Sequence, residues 1–237
     1  MEAVAVSDAV TQLNLLGEAA PQSVLAFGAI AVVSYFLGCS NGAVIISKYI
    51  LRDDIRTHGS GNAGLTNFYR TFGGGITLAV ILIDVLKMLL SLVAGVLIAR
   101  YALFGPAAEP WMSLLAKYWA GTFCILGHMF PCMFGFKGGK GILSGGTMVL
   151  MMDWRIALVA WGGFVLLVTL TRWVSLGSVW AAASFPGSTF FVFRNPVLTV
   201  LALISGGLVV WKHRGNIQRI LKGTESKFSF HHKKDAG

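Results

Sequence analysis

The stretch from Ile76 to Ala99 runs for twenty-four residues and carries only two charges, Asp84 and Lys87. At about 1.5 Å of rise per residue, a helix of that length crosses a hydrocarbon layer of about 30 Å. Lipid offers the backbone no hydrogen-bond partners, so such a run has to be helical. Six further apolar runs lie at residues 24–50, 112–134, 142–152, 156–171, 174–193 and 197–211. The chain is therefore expected to be an all-α integral membrane protein with seven transmembrane helices. The shortest run, 142–152, covers about half the layer. Asp153 and Arg155, beside Trp154, mark a membrane interface at its end, and the glycines at 141, 145 and 146 suggest a re-entrant start.

Charge placement orients this bundle. Of the 237 residues only 12% are charged, against roughly 25% in a soluble domain, which excludes a water-soluble globule. The net charge of +9 is concentrated in alternate loops, at Arg52, Arg56, Arg70, Lys137, Lys140, Arg172, Lys212, Arg214, Arg219 and Lys222. The positive-inside rule puts those loops and the C-terminus in the cytoplasm and the N-terminus outside. Without a recognition motif, this charge argues for anionic headgroups and no nucleic acid. The expected organisation is an extracytoplasmic lead at 1–23, a seven-helix domain at 24–227 with cytoplasmic motif loops at 52–73, 135–141, 171–178 and 212–227, and a cytoplasmic tail at 228–237. The lead has Glu2, Asp8 and Glu18 but no Lys or Arg, so it lacks the basic start of a secretory signal.

Other residues are read as structural. Cys39, Cys124 and Cys132 lack metal-ligand spacing and are expected to be inert packing residues. Trp119, Trp161 and Trp180 sit deeper in their runs and are expected to be packing residues. Gly162-Gly163, Gly206-Gly207 and Ala181 to Ala183 read as helix-contact faces. Asp84 and Lys87, three apart, share a helix face and read as a mutual ion pair turned inward, a relay or substrate contact being the functional alternative. His128 reads as a packing residue.

Three polar islands remain, all on the cytoplasmic side. In the first, Ser60, Asn62, Thr66 and Asn67 supply neutral donors among glycines, and Arg70 supplies a planar fork suited to phosphate. The second, Lys137-Gly138-Gly139-Lys140-Gly141, is a glycine-rich loop feeding a helix N-terminus, where anions are favoured. It is not a nucleotide-binding P-loop, because Phe134 stands where the first glycine belongs and Gly141 where Ser or Thr belongs. The third carries His213 and Asn216 at i, i+3 spacing, with Arg219, Lys222 and Glu225 beyond. No nucleophile elbow, Cys–His pairing or carboxylate cluster for a metal accompanies them. A reaction here has to start from an activated substrate, stabilised by cations and N–H donors.

The segments GSGNAGLTNFYRTFG (59–73), GHMFPCMFGFKGGKGI (127–142), TRWVSLGS (171–178) and KHRGNIQRILKGTESK (212–227) resemble, in order and topology, the motifs of the bacterial acyl-phosphate:glycerol-3-phosphate acyltransferase (PlsY) family. The resemblance runs from about Gly38 to Phe228. It implies an inner-membrane enzyme that transfers a fatty acyl group from acyl phosphate to the 1-hydroxyl of glycerol 3-phosphate, making lysophosphatidic acid for phospholipid biosynthesis. It also implies no metal and no cofactor, contact with membrane lipid, and a functional link to the enzyme that makes acyl phosphate.

By position, Ser60 and Arg70 would hold substrate phosphate, with Asn62, Thr66 and Asn67 alongside. Gly138, Gly139, Lys140 and Gly141, with Lys137, would grip the acyl phosphate. His213 and Asn216 would position glycerol 3-phosphate, and Arg172, Ser175 and Glu225 would add contacts. Whether His213 takes the hydroxyl proton or only orients the substrate is open, since a substrate phosphate is the other acceptor. The chain departs from the family pattern at Asn41 (usually Pro), Met88 (usually Gly) and Gly215 (usually Glu). The last bears on how His213 is oriented. The competing reading, a transporter or channel for a phosphorylated solute, calls for midplane binding groups and repeated halves; only Asp84 and Lys87 lie deep, and no repeat is visible.

Overall fold

The structure is a computed structural model that describes residues 20–104 and 110–228, so the acidic lead before residue 20 and the tail beyond residue 228 lie outside the described residues. Among the described residues all regular structure is helical. Ten helices follow in chain order: α1 (Ala20–Cys39), α2 (Gly42–Ile45), α3 (Leu65–Phe72), α4 (Gly74–Ala99), α5 (Pro110–Met129), α6 (Ile142–Met152), α7 (Trp154–Thr171), α8 (Val174–Phe193), α9 (Pro196–Lys212) and α10 (Arg214–Leu221). Single π turns extend α2 through Ile46–Ile50 and α4 through Arg100–Phe104.

Local chemistry explains the breaks. The first apolar run is interrupted at Asn41, whose Oδ1 accepts from the Val44 amide at 3.0 Å and caps α2. The third run stops as a helix at Met129, short of residue 134, because Pro131 follows and cannot continue it. Asp153 caps α7 through the Arg155 amide at 2.8 Å. Asn195 caps α9 through Val197 and Leu198, with Pro196 at the first helical position.

Among the described residues, four helical stretches are long and apolar enough to cross a membrane: Pro21–Ile50, Gly74–Leu103, Trp154–Thr171 and Val174–Phe193. A fifth results if α9 and α10, bent by 55° at His213, count as one. Helix occupies each of the seven expected runs, but α6 has only 11 residues, and the apolar sequence of α5 is interrupted by Ser113, Lys117, Thr122 and His128. The position of α5 accounts for its polarity. It packs against α1, α4, α6 and α9, so protein rather than lipid surrounds most of it.

Polarity runs from inside to outside on α4, the reverse of a soluble helix. Leu78, Leu82, Leu86, Leu90, Val93 and Leu97 form its exposed stripe, while Asp84, Lys87, Met88 and Ser91 are buried. Lipid provides no hydrophobic drive between helices, so close packing has to hold them. Helices α1 and α5 cross at two glycines: a Cβ on Gly38 would strike the backbone of Cys124, and one on Gly127 the backbone of Tyr35 and Cys39. Gly206 meets the Ala182 carbonyl between α9 and α8, and Gly163 meets the Trp180 ring, as small-residue contacts. Gly162 and Gly207 do not, because a Cβ added at either would meet no neighbouring helix within 4 Å among the described residues. Trp119 and Trp161 donate to the Phe27 and Gly146 carbonyls from partly buried positions. Trp180, though 45% exposed, packs between helices as well: it donates to the Val159 carbonyl while its ring covers Gly163.

Candidate active site

The first island is organised by Asn67. Its buried side chain accepts from the Ser60 amide at 3.1 Å and donates to the carbonyls of His58 and Asn62, both at 3.1 Å, and of Ile55 at 3.4 Å. Gly59 and Gly61 adopt φ of 53° and 67°, the left-handed turns that bring those groups onto one amide. Asn67 thus holds the loop in shape. The Ser60 hydroxyl and the Thr66 side chain make no hydrogen bond among the described residues, and Ser60 is exposed. Arg56 ties the island to the rest of the protein, pairing with Asp54 at 2.7 Å and donating to the Phe134 carbonyl at 2.7 Å.

The second island is folded back on the end of α5. The Gly138 amide donates to Met129 O at 3.3 Å and the Gly139 amide to His128 O at 3.1 Å. A Cβ at Gly138 would overlap the His128 carbonyl, and one at Gly139 would overlap the His128 ring and the Ala63 carbonyl. These two glycines serve close packing, and their N–H groups are used by the protein itself. Gly141, at φ 81°, turns the chain into α6, whose first-turn amides have no intrahelical partners. Lys137 is exposed, whereas Lys140 is partly buried and donates to Asn216 Oδ1. Burial pushes the Lys140 ammonium down to about 8; the charges of Arg219, Arg70 and Lys212 add to this and Glu225 opposes it. Lys140 therefore lies within reach of the charges of three further cations.

The third island closes the site. His213 occupies the bend between α9 and α10, 3% exposed, with Nδ1 at 2.8 Å from the Val209 carbonyl. A carbonyl only accepts, so Nδ1 carries the hydrogen and Nε2 keeps its lone pair. Burial pushes the imidazole down to about 4, and the Lys140 charge adds to that against opposing contributions from Val209 and Glu225. The ring is neutral at neutral pH.

Glu225 is the hub: Oε1 accepts from Ser175 Oγ and Asn216 Nδ2, both at 2.7 Å, and Oε2 from Arg219 Nε at 2.7 Å. Burial raises its pKa, but those bonds outweigh it and keep the carboxyl below its usual range. Arg70 Nη2 donates to Ser226 O at 3.3 Å, and Phe228 N donates to Arg172 O at 2.7 Å. These bonds tie the segment after α10 to the first island and to the start of α8.

Among the sequence-derived candidates, then, Lys140, Asn216, Glu225 and Ser175 form one bonded chain, with Arg70 and Arg172 attached through the C-terminal segment and His213 beside it. Asn62 contributes its carbonyl to the first loop. The sequence places Arg219 in the third island without a role, although its i, i+3 spacing from Asn216 points to one. It marks Asn41 only as a departure from the family pattern; its Nδ2 donates to the Ala63 carbonyl at 3.1 Å. The position opposite a side chain at Gly215 is open, with Arg219 Nη1 at 3.6 Å from where a Cβ would sit. The carboxylate next to Asn216 comes from Glu225.

A helical membrane protein with cations, a neutral imidazole and amide donors gathered at one end of its bundle belongs to the class of integral membrane enzymes that handle anionic headgroups. The chain belongs to the glycerol-3-phosphate acyltransferase family, whose sequence pattern matches residues 28–223. A glycerol-3-phosphate acyltransferase of Acaryochloris marina is 38% identical over 211 residues, covering 84% of this chain and 91% of that protein. One of Clostridioides difficile is 39% identical over 198 residues, covering 84% and 93%. Among solved structures, PlsY (YgiH), an integral membrane glycerol 3-phosphate acyltransferase in its glycerol 3-phosphate form, matches with a TM-score of 0.73 at 28% identity. That match covers 86% of this chain and 96% of that one. The lysophosphatidic acid form of PlsY matches with a TM-score of 0.71.

Proposed function

We propose that this glycerol-3-phosphate acyltransferase takes its acyl group from a fatty acyl phosphate and delivers it to the 1-hydroxyl of glycerol 3-phosphate. The products are lysophosphatidic acid and inorganic phosphate. The observation that carries the reading is the bonded chain Lys140–Asn216–Glu225 beside neutral His213, which joins the second and third islands at one point. Acyl phosphate is a mixed anhydride, so the acyl carbon needs no covalent nucleophile from the enzyme.

In the proposed step the 1-hydroxyl oxygen attacks the acyl carbon, and the carbon–oxygen bond to phosphate breaks. The hydroxyl proton passes to His213 Nε2, and the electron pair leaves with phosphate. Lys140 and the first-turn amides of α6 stabilise charge on the donor phosphate and the acyl oxygen. Arg70 and Ser60 receive the glycerol 3-phosphate phosphate, with Lys137 and Arg172 at the rim. Asn216, fixed by Glu225 and Ser175, aims the attacking hydroxyl.

The proposed topology has seven passes, counting α5 and α6, with the N-terminus outside and the site facing the cytoplasm of the bacterial inner membrane. It rests on the loop cations and on short α6 crossing together with protein neighbours. The acyl chain stays among the helices while the headgroup reaches the site. An enzyme that makes acyl phosphate has to act beforehand.

Initial rates at crossed concentrations of acyl phosphate and glycerol 3-phosphate, measured with chelator present, test the step. Intersecting lines and chelator-insensitive lysophosphatidic acid formation are expected. Parallel lines would require an acyl-enzyme and overturn the direct transfer.

A further inference from the structure

Beneath the second island lies a buried ionic cluster that the acyl-transfer step does not use. Lys87 Nζ donates to Asp84 Oδ1 at 2.6 Å, to the His128 Nδ1 lone pair at 2.8 Å and to the Ser40 carbonyl at 3.1 Å, so all three ammonium hydrogens have acceptors. Asp84 Oδ1 also accepts from the Gly42 amide at 3.2 Å, while Asp84 Oδ2 is buried without a partner among the described residues. Asp84, Lys87 and His128 are 1%, 3% and 3% exposed. Charges this deep in a membrane protein are costly, and an apolar set of the same volume would join α1, α4 and α5 at no such cost.

The cluster reaches the reaction through the His128 ring. With Nδ1 accepting from Lys87, the hydrogen sits on Nε2 and the ring orientation is fixed. The Nε2 edge lies where a side chain on Gly139 would be, and the His128 carbonyl accepts the Gly139 amide. On its other side Gly139 meets the Ala63 carbonyl, which Asn41 holds from the end of α1. Gly139 is thus seated between an imidazole set by Lys87 and a carbonyl of the first island. Lys140 is the next residue.

We propose that Asp84, Lys87 and His128 are positioning residues for acyl transfer. Their ion cluster fixes the His128 ring as the floor on which Gly139 rests, and so sets the place of the Lys140 ammonium against its phosphate. The proposal deepens the acyl-phosphate reading and rests on it for the rate measurements only. It separates from a bracing role, because positioning survives or fails independently of stability.

The test uses full-length protein carrying Asp84→Asn with Lys87→Met, which removes both buried charges together, and separately His128→Leu and His128→Gln. Expected are a thermal midpoint close to wild type in the double variant, a modest drop in His128→Leu, which strands one Lys87 hydrogen, and in both a kcat lowered about 100-fold, the scale of a misplaced catalytic group, with the KM for glycerol 3-phosphate little changed. His128→Gln, which keeps an acceptor for Lys87, recovers much of the rate that His128→Leu loses. Acetylation of the Lys140 amine, followed by peptide mass spectrometry, reads loop placement without turnover and should accelerate in the double variant and in His128→Leu. A wild-type labelling rate in both overturns the proposal, as does stability lost in step with rate. If wild type makes no lysophosphatidic acid yet the labelling changes as expected, the reaction assignment fails and the placement of Lys140 by the cluster stands.

Discussion

Raising the pH should switch the enzyme off through one lysine. Lys140 is driven from the ordinary 10.5 down to about 8, chiefly by burial and then by the neighbouring charges of Arg219, Arg70 and Lys212. A group with that value keeps its proton on roughly nine molecules in ten at pH 7 and on roughly one in ten at pH 9. The ratio kcat/KM reports the free enzyme, so it should fall about tenfold between those pH values. An unperturbed lysine would lose almost nothing over the same range. Lys140→Arg keeps its charge throughout, so its lower rate should be flat from pH 7 to pH 9. Stability moves the other way. Between about 8 and 10.5 the unfolded chain binds the proton and the folded chain does not, so folding gains at most about 3 kcal/mol as pH rises across that window. Lysophosphatidic acid formation at buffered pH, corrected for spontaneous hydrolysis of the donor, is the assay, with thermal unfolding in detergent alongside. A wild-type profile flat to pH 10, or the same alkaline limb in Lys140→Arg, would refute the assignment.

Three further outcomes follow from the same geometry. Asn67→Ala removes three bonds of good length to the first loop and should cost about 2–3 kcal/mol of stability, read as a lowered thermal midpoint, whereas Thr66→Ala should leave that midpoint unchanged. Glu225→Ala strands Ser175, Asn216 and Arg219 together and should lower both the midpoint and the rate, while Ser175→Ala, which loses one bond to the carboxylate, should cost about 1.5–3 kcal/mol. Gly139→Ala puts a Cβ into the His128 ring and the Ala63 backbone, and its kcat should drop by about 100-fold; a normal rate would mean the loop is looser than the packing indicates.

How much of this could be read beforehand depended on the range of the interaction. Asp84 and Lys87 are one turn apart, so their pairing follows from helix geometry, and the pair is found at 2.6 Å. The polar islands stood out because lipid penalises such residues elsewhere. Their inner wiring was not legible, because it depends on contacts across the chain. Asn67 looked like a phosphate donor, but its amide is committed to four backbone groups of its own loop. Gly138 and Gly139 looked like anion donors, yet their amides bond to the end of α5, and nothing local in the KGGKG segment announces that partner. His128 looked like a packing residue, and only the fold puts Lys87, 41 positions away in sequence, against it. Nor does hydropathy reveal that α5 sits among other helices, where a helix enclosed by protein need not be apolar all round.

The measurement that bears most directly on the account is product formation from a defined donor. Purified protein given synthetic acyl phosphate and glycerol 3-phosphate, with chelator and no added metal, should yield lysophosphatidic acid. Acyl-CoA in place of acyl phosphate should yield none, and Asn216→Ala should yield almost none from either while remaining folded, with a thermal midpoint lowered by the lost bond to Glu225. Product from acyl-CoA but not from acyl phosphate, or a normal rate in Asn216→Ala, would contradict it.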